Sequence, residues 1–134
     1  MSEENVEIVR RMCEAYVRRD WEAAAEPLHP DIEWDAASET SWPDTEIFSG
    51  KQGVLDFFRR FLGTWDDYEA HFGEFIECGD AIVVEVSDRG RGKGSGADVG
   101  RTWAQLWRVR DGKVVFFRAY TDLESALADA RPQD

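Results

Sequence analysis

The alternation of apolar and polar residues is strongest between residues 101 and 122. A period of two indicates a β-strand, because successive side chains of a strand point to opposite faces. Asp111-Gly112 separates two such runs and is typical of a tight hairpin, since glycine accepts a positive φ. We therefore predict that two long strands form the centre of a curved antiparallel sheet. One face of the first strand would carry Trp103, Gln105, Trp107 and Val109, and the other Thr102, Ala104, Leu106 and Arg108.

Four stretches have the spacing or the capping residues of helices. Apolar residues recur at helical spacing after Ser2, and Asp20 is placed to cap a short second helix over residues 21–28. Residues 51–65 form the clearest amphipathic helix, with one broad apolar and aromatic face. The Thr121 and Glu124 pair fits a capping box and predicts a final short helix over residues 122–130.

The remaining segments complete an α+β pattern. Alternation predicts further strands over residues 31–36, 68–77 and 81–89. Residues 37–48 have no regular period, so they are expected to form a loop long enough to act as a lid over a site. Because helices dominate the first half and strands the second, the sequence predicts one α+β domain over residues 1–134.

Composition excludes several classes of partner. The formal net charge of −12 argues against binding to nucleic acid or to an anionic membrane surface, since both attract positive charge. The sequence shows no targeting or transmembrane segment, so we expect a cytoplasmic protein. Cys13 and Cys78 have no motif spacing and are interpreted as reduced thiols. No histidines and carboxylates occur at ligand spacing, and we expect neither a metal site nor a cofactor.

Several short motifs follow one another in an order that resembles a known family. They are Ala15-Tyr16 followed by Asp20-Trp-Glu-Ala, the stretch His29-Pro-Asp-Ile-Glu-Trp34, the helix start Phe48-Ser-Gly-Lys-Gln-Gly-Val54, and Leu106-Trp-Arg-Val-Arg-Asp-Gly-Lys-Val114. Together they resemble the SnoaL-like branch of the nuclear transport factor 2-like superfamily over residues 3–128.

That resemblance implies a cone-shaped α+β barrel, in which a curved antiparallel sheet wraps around helices and encloses an apolar pocket. Members of the family include polyketide cyclases, ketosteroid isomerases, epoxide hydrolases, dehydratases and proteins without an assigned activity. Because many of them pair through the sheet, the resemblance also implies a homodimer. Since this fold supports many activities, the fold alone does not identify a function.

The ketosteroid isomerases use a tyrosine and a protonated aspartate as an oxyanion hole and a second aspartate as the base. Read without gaps, the tyrosine, base and protonated-acid positions fall here on Met12, Ala36 and Gln105. A shift of one residue gives Asp35 as the base, and Tyr16 lies one turn after Met12. The resemblance thus offers Asp35, Tyr16 and Gln105 as catalytic candidates. Strand alternation would instead place Asp35 on the solvent face, and Tyr16 would equally suit a packed core.

The face with two tryptophans and a glutamine is either packed core or the floor of a pocket. A pocket would be apolar and aromatic with few polar groups, which suits a hydrophobic and even polycyclic small molecule. Three functions therefore stay open: an enzyme for acid–base chemistry of the isomerase, cyclase or dehydratase type, a non-catalytic binding protein, or a dimerising module with a filled interior. The expected pocket-lining residues are Trp34, Trp42, Phe57, Phe61, Trp65, Trp103, Trp107 and Phe117.

Overall fold

The structure is a computed structural model, which describes residues 2–35, 48–63 and 65–130, without the side chains of residues 2, 48, 61 and 62. The described chain contains four helices and six strands. None of these helices has the length and apolar character needed to cross a membrane. The elements in chain order are α1 (Ser2–Arg18), α2 (Trp21–Ala25), β1 (Leu28–Asp35), β2 (Phe48–Ser49), α3 (Gly50–Gly63), β3 (Trp65–Cys78), β4 (Ala81–Gly92), β5 (Asp98–Arg110), β6 (Lys113–Tyr120) and α4 (Leu123–Ala130).

The strands form one sheet in the order β2-β1-β6-β5-β4-β3. The prediction of an α+β fold with a curved sheet is confirmed, and the sheet stays open, with β2 and β3 at its edges. Strands β3 to β6 form the expected antiparallel meander. Strand β1, in contrast, lies parallel to β6, where Trp34 is the register partner of Phe117. The sheet is therefore mixed, with strand β1 of the first half next to strand β6 of the second half.

The central hairpin is the part of the fold that the sequence describes best. Strands β5 and β6 are joined at Asp111 and Gly112, whose φ angles are 52° and 76°. Two successive positive φ angles are the mark of the type I′ turn that matches the twist of paired strands. The hairpin therefore has the turn that its dipeptide predicts.

Two of the predicted helices end earlier than expected. The expected second helix ends at Ala25, and β1 already begins at Leu28. The expected helix over residues 51–65 ends at Gly63, and Trp65 opens β3. The apolar side chain at position 65 continues the helical period by coincidence, so periodicity alone did not locate the end of the helix.

The sheet buries apolar residues on both faces. On the inner face, Trp107 and Phe117 belong to a cluster with Phe57 and Phe58 of α3, and Trp103 packs against it. On the outer face, a second cluster joins β4 and β5 to α4. The alternation in β5 predicts this division, because Trp107 and Val109 fall in the first cluster and Ala104 and Leu106 in the second. Helices thus cover both faces of the sheet, and the inner layer holds the candidate site.

Candidate functional site

A cavity of about 40 Å³ lies between the inner face of the sheet and helices α1 and α3. This volume holds a few water molecules, which is much less than a ring-shaped ligand needs. The wall is largely apolar and aromatic, and its described residues include no carboxylate and no imidazole. The described lining consists of Met12, Cys13, Tyr16, Trp34, Phe57, Phe58, Tyr68, Ala70, Phe72, Val86, Arg101, Trp103, Gln105, Trp107, Phe117 and Ala119.

Trp34 lies at the centre of the aromatic wall. Its ring stacks on Phe117 with a centroid distance of 3.9 Å and an interplanar angle of 13°. The rings of Trp107 and Phe58 meet Trp34 edge-on, each at 5.3 Å. Edge-on and stacked pairs of this kind are favourable beyond the burial of their area. The indole nitrogen of Trp34 is buried and has no hydrogen-bond partner among the described residues, which is rare for a buried donor.

Gln105 brings an amide into this apolar wall and is only 7% exposed. Its Oε1 accepts a hydrogen bond of 3.0 Å from the indole Nε1 of Trp107. Because an indole N–H can only donate, this contact fixes which end of the amide is oxygen and which is nitrogen. No described residue accepts a hydrogen bond from the Gln105 amide nitrogen. The side chain therefore offers two unused N–H donors in the lining of the cavity.

Tyr16 contributes a hydroxyl from helix α1. Its ring packs edge-on against Phe58 at 5.1 Å and against Tyr68 at 6.4 Å. Burial raises the pKa of Tyr16 above its ordinary value, and the nearby Asp88 charge adds to this effect. Tyr16 is therefore a neutral phenol throughout the physiological pH range.

A buried ion pair lies directly behind the two tyrosines. The carboxylate of Asp88, whose side chain is 1% exposed, accepts hydrogen bonds from Arg101 Nε at 3.1 Å and Arg101 Nη2 at 2.8 Å. The same carboxylate accepts from the Tyr68 hydroxyl at 2.6 Å and from Trp103 Nε1 at 3.2 Å. Four donors therefore surround one carboxylate, which compensates the cost of burying its charge.

The charges of this network follow from its surroundings. Burial lowers the pKa of Arg101, but its hydrogen bonds to Asp88 and the charge of Asp88 outweigh burial and raise the pKa. Burial foremost, together with Tyr16 and Asp88, raises the pKa of Tyr68 far above its ordinary value. Arg101 is thus a cation, Asp88 an anion, and Tyr68 a neutral donor.

The sequence candidates fall into three groups. Tyr16, Gln105, Trp34, Phe57, Trp103, Trp107 and Phe117 line the cavity. Asp35 and Trp65 do not belong to its described lining. Trp42 lies outside the described residues, and so do the whole expected loop up to residue 47 and the side chain of Phe61.

The positions of Asp35 and Trp65 have simple physical reasons. On β1, Ile32 and Trp34 are buried, so alternation turns Asp35 to the opposite face of the strand. There its carboxylate lies 3.6 Å from Arg118, in an ion pair. Trp65 lies on β3 instead of α3, and its ring packs against Tyr68 and the backbone of Gly90.

The sequence analysis missed Tyr68, Asp88 and Arg101. Asp88 and Arg101 could have been found from the alternation of residues along their strands. Asp88 follows Val86 by two positions and therefore shares the inward face of β4, and Arg101 precedes Trp103 by two positions on β5. Asp88 and Arg101 are also register partners across the two strands. Opposite charges on the inward faces of two predicted neighbouring strands would have indicated the ion pair.

Metal binding has no support in the described part of the chain. The described residues contain no group of three or more histidine, cysteine, aspartate or glutamate side chains close enough to hold an ion. The polar contents of the site are hydroxyls, an amide, indole donors and one ion pair. Such groups can orient a ligand by hydrogen bonds.

The fold is shared with several solved structures. A nuclear transport factor 2-like protein of unknown function from Burkholderia pseudomallei K96243 is 27% identical, with a TM-score of 0.79 over 96% of this chain and 97% of that one. A Mycobacterium tuberculosis protein in complex with estradiol-17β-hemisuccinate is 17% identical, with a TM-score of 0.74 over 90% and 95%. An epoxide hydrolase of the same organism is 17% identical, with a TM-score of 0.70 over 96% and 92%.

A search of curated proteins gives no match. The model of the SnoaL-like domain, in contrast, matches residues 9–117, which is most of the chain. The matched segment includes residues 9–18 of α1, the whole of β5 and most of β6, so it covers the residues of α1 and β5 that line the cavity. The chain therefore belongs to the SnoaL-like domain family.

Proposed function

We propose that this protein binds a hydrophobic, ring-shaped small molecule whose oxygen atom accepts a hydrogen bond from Gln105. The observation that carries the proposal is the amide of Gln105, which the Trp107 indole holds in one orientation within an aromatic wall. No described residue accepts a hydrogen bond from the Gln105 amide nitrogen, and a ligand oxygen could accept one. Ligand sites in proteins commonly combine such an apolar wall with a few fixed polar groups.

The chemistry of the wall favours binding over acid–base catalysis. A general base must lie within hydrogen-bond reach of the proton that it removes. The described lining contains no carboxylate and no imidazole, and the buried Asp88 behind it already accepts four hydrogen bonds. Asp35, the base that the family resemblance suggests, is paired with Arg118. The groups that line the cavity thus hold and orient a ligand.

The size of the cavity adds a condition to this proposal. Ligand pockets typically have volumes of about 300–1,000 Å³, whereas this cavity measures about 40 Å³. A ring-shaped ligand would therefore bind a minor, expanded form and shift the population toward it. The side chain of Met12 lies in the wall and is the unbranched, adaptable kind of residue that can make room. A rigid polycyclic ligand is also consistent with the estradiol ester held by the Mycobacterium tuberculosis protein of the same fold.

A titration with two matched compounds tests the role of Gln105. Fluorene and fluorenone differ by one carbonyl oxygen, and quenching of tryptophan fluorescence reports their binding. We expect the protein to bind fluorenone about ten-fold more tightly than fluorene, because one hydrogen bond in a buried site contributes about that factor. In the variant Gln105→Leu, the two compounds should bind with similar affinity.

Thr102→Val is the matched control for that titration. Thr102 lies on the same strand but on its exposed outer face, so the loss of its hydroxyl should leave both affinities unchanged. If Gln105→Leu binds fluorenone as tightly as the unchanged protein does, the proposed contact is wrong. If neither compound gives saturable quenching, binding of this ligand class is excluded.

An acid–base enzyme of the isomerase, cyclase or dehydratase type is the second candidate. The observation that favours it is Tyr16, which lines the cavity and whose raised pKa keeps its hydroxyl a neutral phenol. The base would be Asp35, as the family resemblance suggests. In that case Asp35→Asn should abolish turnover of a ring-shaped substrate and leave its affinity unchanged, as measured by product formation and by fluorescence quenching. Turnover that survives Asp35→Asn would rule out this assignment.

A further inference from the structure

We infer that Ala119 sets the size of the ligand that this site accepts, because the ligand ring lies in the empty space above its methyl group, beside the amide of Gln105. The inference rests on the proposed function and adds the position of the ligand within the cavity. It follows from the sizes of the side chains that succeed one another on the inner face of the sheet.

The row of side chains that contains Trp107 is filled. Opposite residues on neighbouring strands form such rows across the face of a sheet. Trp107 is the register partner of Ile82 on β4 and of Phe117 on β6. Phe117 is in turn the partner of Trp34 on β1. All four side chains are large and buried, so this row closes one end of the cavity.

The next row contains Gln105 and a much smaller side chain. Gln105 is the register partner of Val84 on β4 and of Ala119 on β6. Ala119 is fully buried, but its side chain is a single methyl group. Gln105 and Ala119 line the cavity, whereas Val84 does not belong to its described lining. The empty space beside Gln105 therefore lies on the side of Ala119.

Ala70 is the other alanine of the described lining, and it lies far from Gln105. Its register partner is Asp88, four positions along β4 from Val84, which is the partner of Gln105. Four residues of a strand span about 13 Å, and β3 is one strand further across the sheet. Opposite residues such as Gln105 and Ala119, in contrast, have Cβ atoms about 4.5–5.5 Å apart. Ala119 is therefore the alanine that leaves room next to the amide.

The position of the ligand follows from these two residues. A carbonyl oxygen that accepts from the Gln105 amide lies about 3 Å from its nitrogen. The ring attached to that carbonyl then occupies the space above the Ala119 methyl group. Phe117 precedes Ala119 by two positions on the same face of β6, so the aromatic wall borders the ring. A longer side chain at position 119 would fill the same space and exclude the ring.

The variant Ala119→Val tests this position. Valine adds two carbon atoms at the wall of a cavity of about 40 Å³. We expect the affinity for fluorenone, measured by fluorescence quenching, to fall at least about ten-fold, because one surplus methylene in an apolar pocket has an effect of this size. The midpoint of urea denaturation should not fall, because valine fills space that is empty without a ligand.

Ala70→Val is the matched control, since it makes the same change in the same wall but away from Gln105. It should change the affinity for fluorenone by about two-fold or less. The combination of weaker binding and retained stability in Ala119→Val distinguishes occupation of the ligand space from general damage to the fold.

Fluorenone affinity that is unchanged in Ala119→Val, or lowered equally by Ala70→Val, overturns the inference. The proposed function still stands in that case if Gln105→Leu removes the preference for fluorenone over fluorene. A clear fall in the stability of Ala119→Val would show that the space is already filled, which also overturns the inference. Absence of all binding by the unchanged protein overturns both.

Xenon locates the empty space in the protein without a ketone. It enters small apolar cavities and shifts the NMR signals of the methyl groups that it touches. In protein with ¹³C-labelled alanine methyl groups, we expect xenon to shift the signal of Ala119 but not that of Ala104, which is buried in the outer cluster. An Ala119 signal that xenon does not shift would show that the cavity lies elsewhere and would overturn the inference, whatever the ketones do.

Discussion

Replacement of Asp88 by alanine is expected to lower the free energy of unfolding by about 3–5 kcal/mol, which is typical when one partner of a buried ion pair is removed. The variant leaves the guanidinium of Arg101 beneath the surface without its anion, and it removes the acceptor of Tyr68 and Trp103. The loss is measured by urea denaturation followed by tryptophan fluorescence and far-ultraviolet circular dichroism.

Asp98→Ala is the control for the loss of a carboxylate. Asp98 pairs with Arg91 at 3.7 Å, but its side chain is 79% exposed, so its removal should change stability by no more than about 0.5 kcal/mol. The double variant of Asp88→Ala with Arg101→Met should recover part of the loss, because it also removes the charge that Asp88 had paired. Equal stability of Asp88→Ala and Asp98→Ala would show that the buried network does not support the fold.

Replacement of Phe117 by alanine is expected to cost about 3–5 kcal/mol of stability. Phe117 is 2% exposed and stacks on Trp34 at 3.9 Å, and the ring of Trp107 meets it at 4.8 Å. Its removal would leave a void that the rigid aromatic neighbours cannot close. The loss of stability therefore includes both the burial free energy of the missing ring and the cost of the empty volume. Denaturation in urea again measures the change.

Phe116→Ala provides the comparison on the same strand. Phe116 points to the outer face, is partly buried and packs against the smaller cluster beneath α4, so its loss should cost clearly less. If the two variants are equally stable, the aromatic cluster of the inner face is not the main source of stability. Retained stability of Phe117→Ala would point to collapse of the neighbouring rings into the void.

The parts of the site that the sequence predicts are those with a local period. In β5, alternation placed Trp107 and Gln105 on one face, and the helical spacing in α3 placed Phe57 on the side that meets them. Both patterns depend only on neighbours along the chain. In β1, alternation puts Asp35 and Trp34 on opposite faces of the strand, again from neighbours along the chain alone.

The parts that were missed depend on contacts between distant segments. Tyr68 reaches Asp88 from β3, where the register shifts between Asp66 and Glu69 and again between Phe72 and Phe75. Such irregularities interrupt the period of two, so the sequence does not show which side chains of β3 face inward. The direction of the Gln105 amide likewise depends on its contact with Trp107. The homodimer and the cytoplasmic location stay predictions.

The parallel pairing of β1 with β6 has a consequence for how the molecule is made. The Lys113 ammonium donates a hydrogen bond to the backbone carbonyl of Glu26, and the two residues are 87 positions apart in the sequence. Next to this contact, the Val114 amide donates to the Pro27 carbonyl at 2.8 Å. A nascent chain cannot pair β1 with β6 until β6 has left the ribosome. Until that stage Trp34 would lack its stacking partner Phe117, so capture by a chaperone would matter most before β6 emerges.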